Sequence, residues 1–258
     1  MPKKKFVQDL KILRNTRLNE RHFILELLVP GPLPEILPGQ FVQVLVEDSP
    51  STFLRRPFSV HAIDRDPGII KLFIQAKGEG TRKLGKLMEG GSLNVIYPLG
   101  NSFSLPASDK VLLVGGGCGI APLLFLAQYL HDHGIVPTIL LGFRNKNEIA
   151  ETEEYSKYGD LLIITDDGSA GEKGLITEHS IFQKEKIGFK HICCCGPDPM
   201  MKAVARIAAM HKVHCEASLE NMMACGFGVC LCCVTPTDKG NERVCMEGPV
   251  FDTRRLKW

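Results

Sequence analysis

The segment Val111-Leu-Leu-Val-Gly-Gly-Gly-Cys-Gly-Ile-Ala-Pro122 decides the fold. Extended to Leu130 it carries no charged residue, a length that could cross a bilayer. Gly115, Gly116, Gly117, Gly119 and Pro122 lie in its middle, however, and would break a spanning helix. A buried strand over residues 111–114, a glycine turn and an apolar helix over residues 121–133 explain the same residues without a membrane. Strand, glycine turn and helix in that order form the setting in which a dinucleotide pyrophosphate is bound, although these glycines do not follow G-x-G-x-x-G.

Downstream the same alternation continues. Residues 138–142, 161–165 and 191–195 read as further buried strands, and helices are expected over 177–184 and 198–211. Alternating strands and helices imply a parallel sheet covered on both faces. Cys195-Gly196-Pro197 closes one of these strands, at the carboxyl edge where such sheets bind ligands. Cys193 and Cys194 read as small buried strand residues, and Cys118 and Cys215 as structural.

Beyond the sheet lies Met223-Ala-Cys-Gly-Phe-Gly-Val-Cys-Leu-Cys-Cys-Val-Thr-Pro-Thr-Asp-Lys-Gly-Asn-Glu-Arg-Val-Cys245. Cys225, Cys230 and Cys233 are spaced C-x4-C-x2-C, and Cys245 follows, the plant-type spacing of a [2Fe–2S] cluster. Three thiolates from one wrapped loop and a fourth from beyond it can converge on two irons. Gly226 and Gly228 suit that loop, since positive φ lets backbone N–H groups approach the sulfurs. Cys232 is a fifth thiol that blurs the set; Cys233 is preferred because it completes the C-x2-C step from Cys230. Zinc sites usually carry two C-x2-C pairs, and this stretch has one with regular spacing.

Upstream, from Phe6 to about Pro98, short runs with turn punctuation mark an all-β unit. Residues 21–29, 40–47, 58–63 and 69–75 read as strands, separated in places by Pro-Gly pairs and the Asp64-to-Gly68 turn. One helix interrupts them near Gly80, with Leu84, Leu87 and Met88 expected on one face. The result is a small barrel with an inserted helix. Arg56-Pro57-Phe58-Ser59 opens a strand with a proline-stiffened Arg that can contact a phosphate or a flavin edge. Gly78-Glu-Gly80-Thr81 precedes the helix, where exposed N–H groups can face a pyrophosphate. Each is also explained by ordinary structure, a strand entry in one case and a turn with N-cap in the other. Pro98-Leu-Gly-Asn101 reads as a turn closing the barrel.

The 258 residues suffice for two compact domains or one large one, and apolar and charged fractions are ordinary for a globular chain. A formal charge of +2 gives no argument for nucleic acid or membrane binding, and the run Lys3–Lys5 reads as a solvated tail. Ten cysteines without a signal peptide point to a reducing cytoplasm. The histidines show no metal-ligand spacing, and no paired carboxylates or nucleophilic triad stands out.

The succession R-x-x-S, G-x-G-T, G-G-G-x-G-I-A-P and C-G-P resembles the ferredoxin–NADP reductase superfamily. With the terminal cysteines, the chain resembles the electron-transfer subunits of NAD-dependent dihydroorotate dehydrogenases over essentially its whole length. Ser218-Leu-Glu220, Met223-Ala-Cys225 and Cys245-x-x-Gly248-Pro249-Val250-Phe251 carry that closer likeness. The resemblance implies an FAD barrel over residues 1–105, an NAD-binding α/β domain over 106–216 and a [2Fe–2S] domain over 217–258. Arg56, Pro57, Phe58 and Ser59 would hold FAD, with Gly78, Gly80 and Thr81 at its pyrophosphate. Phe58 stands where many members have Tyr, which removes one hydroxyl contact. Gly116, Gly117 and Gly119 would line the nicotinamide cofactor's site, with Cys195 near the nicotinamide as the catalytic candidate. Cys225, Cys230, Cys233 and Cys245 would hold the cluster.

The implied partner is an FMN-bearing dihydroorotate dehydrogenase catalytic subunit, in a heterotetramer with two copies of each chain. A nicotinamide exchanges two electrons as hydride and a [2Fe–2S] cluster carries one, so FAD belongs between them. Electrons would run from dihydroorotate through the partner's flavin, the cluster and FAD to NAD+, in pyrimidine biosynthesis. Arg144 and Lys146 leave NADP open. Two other readings share parts of this pattern: an NAD(P)H–flavin subunit of a hydrogenase or ferredoxin-linked complex, and a zinc-binding interaction module.

Overall fold

The computed structural model describes residues 4–47, 49 and 51–258, so Lys3 of the basic run lies outside the described residues. Lys4 sits over the Phe6 ring at 5.0 Å, and Lys4 and Lys5 are both exposed.

The first half forms seven antiparallel strands: β1 (Phe6–Arg17), β2 (His22–Leu28), β3 (Phe41–Val44), β4 (Arg56–Ser59), β5 (Ala62–Asp64), β6 (Ile69–Gln75) and β7 (Ser92–Leu99). Their order is β4-β3-β7-β1-β2-β6-β5, and β4 packs back against β6, which curls the sheet into a barrel. Inward residues of alternating strands fill it, among them Leu10, Leu25, Val42, Val44, Leu72 and Val95. β1 gave no separate strand signal, because the flanking polar residues of FVQDLKILRNTR mask its two fully buried ones, Leu10 and Ile12. The single strand expected over 58–63 is two. At Val60–His61 the chain turns a corner, Val60 N donating to Gln40 O and His61 N to Lys71 O on the far strand. α1 (Glu79–Leu84) stops early. Leu84 is buried and Leu87 packs on the barrel core, whereas Met88 is 81% exposed and leaves the expected face.

The second half is the parallel sheet: β8 (Val111–Gly116), β9 (Thr138–Phe143), β10 (Asp160–Thr165), β11 (Glu172–Lys173), β12 (His191–Cys195) and β13 (His214–Ser218). Strand order is β11-β10-β9-β8-β12-β13-β16, with β16 (Val250–Asp252) antiparallel at the edge. Strand alternation splits two cores. Val111, Leu113, Ile139, Leu141 and Cys193 face α2 (Ala121–Asp132) and Tyr155 of α3 (Thr152–Ser156). Leu112, Val114, Leu140, Ile192 and Cys194 face α4 (Asp198–Met210). The helix expected over 177–184 is instead two short 3-10 turns, Ile176–Glu178 and Ser180–Phe182. His179 between them is extended, its Nδ1 accepts from Ile181 N, and Glu172 accepts from Ser180 N and Oγ. Side-chain bonds to the backbone replace a helical ladder there.

The cysteine segment adds a hairpin, β14 (Val234–Thr237) with β15 (Gly240–Arg243), before the chain returns as β16 beside β13. Two polar clamps hold the three parts together. Asn101, at the barrel exit, donates through Nδ2 to Glu247 O (2.9 Å) and Val250 O (2.8 Å) and accepts from Val250 N (2.9 Å). Glu216 Oε2 on β13 accepts from Ser104 N (3.1 Å) and Ser104 Oγ (2.9 Å) and pairs with His191 Nε2 (3.1 Å). No helix among the described residues is long and apolar enough to cross a membrane.

Asn101→Ala removes all three side-chain bonds. At about 1 kcal/mol each it should cost roughly 3 kcal/mol, read as a lower urea midpoint with unchanged slope. Burial pushes the Glu216 carboxyl up, but His191 and both Ser104 donors outweigh it and hold the carboxyl below its ordinary range. Its contribution is therefore present above the ordinary carboxylate pKa and lost as pH falls through the folded value. Glu216→Gln should be less stable than the native chain at pH 7, and urea midpoints of the two should converge on acidification.

Candidate functional site

A cleft of about 740 Å³ opens at the carboxyl edge of the parallel sheet. Gly116, Gly117, Phe143, Arg144, Pro197 and Met200 form its sheet side, and Gln75, Ala76 and Lys77 close it from the barrel. Gly119 does not line the cleft. A Cβ there would lie 2.4 Å from Cys195 O and from Gly196 N, so this glycine lets the β8 turn press against the end of β12.

Cys195 is fully buried, with Sγ 3.8 Å from Glu220 Oε1. Cys118 Sγ approaches the other oxygen, Oε2, at 4.0 Å. Desolvation pushes the Cys195 thiol well up, and desolvation with the Glu220 charge pushes Cys118 up to about 11. Desolvation also raises the Glu220 carboxyl, although the residue keeps an exposed side. Both thiols are therefore neutral donors rather than nucleophiles. Sequence reasoning singled out Cys195; Glu220 stood inside a quoted motif, but its place between two distant thiols needed the fold.

On the barrel, two adjacent arginines divide their work. Arg55 Nη1 donates to Gln43 O (3.3 Å) and Asn94 O (3.1 Å), pinning β4 to its neighbours. The Arg56 side chain has no hydrogen bond or ion pair among the described residues and is half-buried, which leaves its guanidinium available to an anion. Pro57, Phe58 and Ser59 continue the edge strand beside it, all half-buried. Gly78 and Gly80 frame the start of α1, and the Thr81 hydroxyl is occupied locally, accepting from Lys77 N and Gly78 N at 3.0 Å each.

The thiol pocket forms where the cysteine loop meets β3. Cys225 neighbours Cys230 and Cys233 neighbours Cys245, and Cys225 is near enough to Cys245 to influence it electrostatically. Cys232 is exposed and turns its Sγ toward Met222 O (3.7 Å). Burial pushes the Cys225 thiol up, but backbone N–H groups of Phe227, Cys230 and Val229 bring it down to about 6. Cys245 N points at Cys233 Sγ (3.4 Å), while burial and Cys233 push the Cys245 thiol up to about 12. Arg243, held by Glu247 (2.6 Å), donates to Gly228 O (3.1 Å) and braces the loop. Thiols in two facing pairs, with amide donors aimed at sulfur, fit a [2Fe–2S] group. A further group, His191 with Cys193 and Glu216, has ligand-like spacing, but its carboxylate already serves the Ser104 clamp.

The barrel, the sheet and the cleft between them define a ferredoxin-reductase-like oxidoreductase. The solved structure of an NADH-dependent reduced ferredoxin–NADP oxidoreductase, described in terms of flavin-based electron bifurcation, superposes with a TM-score of 0.87. It is 30% identical and covers 96% of this chain and 90% of that one. Residues 113–206 match the oxidoreductase NAD-binding domain, and residues 220–257 match the iron–sulfur cluster binding domain of dihydroorotate dehydrogenase B. The dihydroorotate dehydrogenase B (NAD(+)) electron transfer subunit of Caldanaerobacter subterraneus is 39% identical over 93% of this chain and 94% of its own length. That of Desulforamulus reducens is 35% identical over 98% of both chains. The chain belongs to the family of dihydroorotate dehydrogenase B (NAD(+)) electron transfer subunits.

Gly119→Ala forces a methyl into the β12 carbonyl. Overpacking of this kind costs about 1–3 kcal/mol, so the variant should unfold at a lower urea midpoint than the native chain, and an unchanged midpoint would show that the β8 turn can give.

Proposed function

We propose that this chain is the electron-transfer subunit of an NAD-dependent dihydroorotate dehydrogenase, acting in pyrimidine biosynthesis in the cytoplasm. The observation that carries the reading is the position of the thiol pocket. Its inner side, Cys233 and Cys245, packs in one core with Phe41 of β3, beside the β4 strand that carries Arg56. Its outer side, Cys225 and Cys230, sits in an exposed apolar rim of Met222, Phe227, Val229 and Leu231. An exposed apolar patch around a redox group is a docking surface for a partner that delivers electrons there.

Arg56, Pro57, Phe58 and Ser59 would hold FAD along β4, with Gly78, Gly80 and Thr81 near its pyrophosphate. Cys225, Cys230, Cys233 and Cys245 would hold the cluster, with Cys233 rather than Cys232 as third ligand. FAD exchanges hydride pairs with the nicotinamide and single electrons with the cluster. Gly116 and Gly117 would receive the dinucleotide, and the Cys195 thiol, beside Glu220, would border the nicotinamide. Arg21 and Arg144 in the cleft are accompanied by Glu148 and Asp166, which favours NAD over a ligand with an added 2′-phosphate. Dihydroorotate itself would be oxidised on an FMN-bearing catalytic subunit, two of each chain forming the complex.

The likeness to the ferredoxin–NADP oxidoreductase keeps a ferredoxin-linked complex as the second reading. The two separate on one experiment, dihydroorotate-dependent NAD+ reduction by the anaerobically isolated complex. Activity with a copurifying flavoprotein supports the first, and a coloured complex without it supports the second. Within the active complex, Cys225→Ser should abolish the cluster signal and dihydroorotate-driven NAD+ reduction, leaving NADH-to-FAD transfer largely intact. Arg56→Ala should lower the flavin content that survives gel filtration.

A further inference from the structure

Gln43 lies on β3 with no exposure, and neither its Oε1 nor its Nε2 has a hydrogen-bond partner. It is the one side chain among the described residues whose amide is buried with both ends unpaired; Asn19 Nδ2 is the other orphan atom. A buried amide without partners is rare in a folded chain and marks a missing group. Gln40, three residues earlier, shows the ordinary case: its Oε1 accepts from Leu37 N at 2.8 Å and its Nε2 donates to Gly100 O at 2.9 Å.

What lies against Gln43 identifies the missing group. Val42 and Val44 point into the barrel, so Phe41 and Gln43 share the opposite face of β3. Phe41 on that face belongs to the same hydrophobic core as Cys233 and Cys245. Gly226, the residue after Cys225, adopts a φ of +77°, and a Cβ on it would lie 2.6 Å from Gln43 Cγ and 2.7 Å from Nε2. The glycine thus does more than turn the loop, because it lets the amide of Gln43 come up against the backbone beside Cys225. Across the strand, Gln43 pairs with Pro57 of the edge strand that carries Arg56. The unpaired amide is therefore set between the two proposed redox centres, on the cluster side.

We infer that Gln43 is a positioning residue whose amide N–H donates a hydrogen bond to sulfur of the [2Fe–2S] group, joining the cluster loop to the flavin-bearing sheet. The inference rests on the four-thiol reading above. A hydrogen bond to sulfur stabilises the reduced, more negative cluster and raises its potential. The bond thus makes the cluster a better acceptor for electrons arriving from the partner.

The test uses the cofactor-loaded chain with its partner, prepared without oxygen. Gln43→Met keeps length and removes both polar atoms, and Gln43→Glu keeps shape and replaces the donor with an acceptor. Both should retain iron, sulfide and flavin, while the cluster potential falls. At a fixed applied potential the reduced-to-oxidised ratio of the cluster should drop roughly three- to tenfold, a tenfold change being about 59 mV for one electron. Spectroelectrochemistry should show the FAD potential unmoved. In the reduced native cluster, pulsed EPR with side-chain 15N-glutamine should show a nitrogen coupling, which needs no variant to fold. An unchanged cluster potential in both variants, a shift confined to the flavin, or no nitrogen coupling in the native cluster would each overturn the inference. Native protein without an iron–sulfur signal would overturn the four-thiol reading along with it.

Discussion

Everything in this molecule depends on the two-sided use of β3. In four residues, Phe41 to Val44, the strand sends Val42 and Val44 into the barrel and Phe41 toward the cysteine segment. A strand has only two faces, so one short element fixes the distance between the barrel and the thiol pocket. Any loosening of that face would separate the proposed flavin strand, which pairs with β3, from Cys233 and Cys245, which share a core with Phe41. Electron transfer between fixed carriers requires a rigid seam of this kind rather than a hinge.

The same economy holds at the parallel sheet. β13 borders β12 on one side and takes β16 on the other, so the cysteine segment is stitched back into the nucleotide-binding sheet at its far end. The Asn101 and Glu216 clamps then tie the barrel exit to both. All three parts of the chain consequently share hydrogen bonds with one another, and no part rests on a linker alone. Polar clamps suit these seams because their geometry is directional, whereas apolar packing alone would tolerate sliding.

At the cleft, burial sets the chemistry. Cys195, Cys118 and Glu220 are all shifted toward their neutral forms by desolvation. Cys225 in the cysteine loop is shifted the opposite way. Amide donors around Cys225 favour its thiolate, the form a metal group requires. Cys195 and Cys225 are thus held in contrary states, and the backbone N–H groups around Cys225 make the difference.

Much of this was legible in the residues. The glycine-broken apolar run after Lys110 gave strand, turn and helix, and the C-x4-C-x2-C spacing gave the thiol loop, because both patterns are local and follow from chain stereochemistry. The helix expected over 177–184 failed because Glu172 and His179 capture the backbone there. Met88 left its expected face because α1 ends at Leu84. Only the tertiary structure separated Arg55 from Arg56 and turned Cys232 away while burying Cys233. It alone showed Asn101 to be a clamp rather than a turn residue and left Gln43 without a partner. Those outcomes join residues many positions apart, and spacing along the chain carries no record of which side chains meet once the sheets have curled and packed.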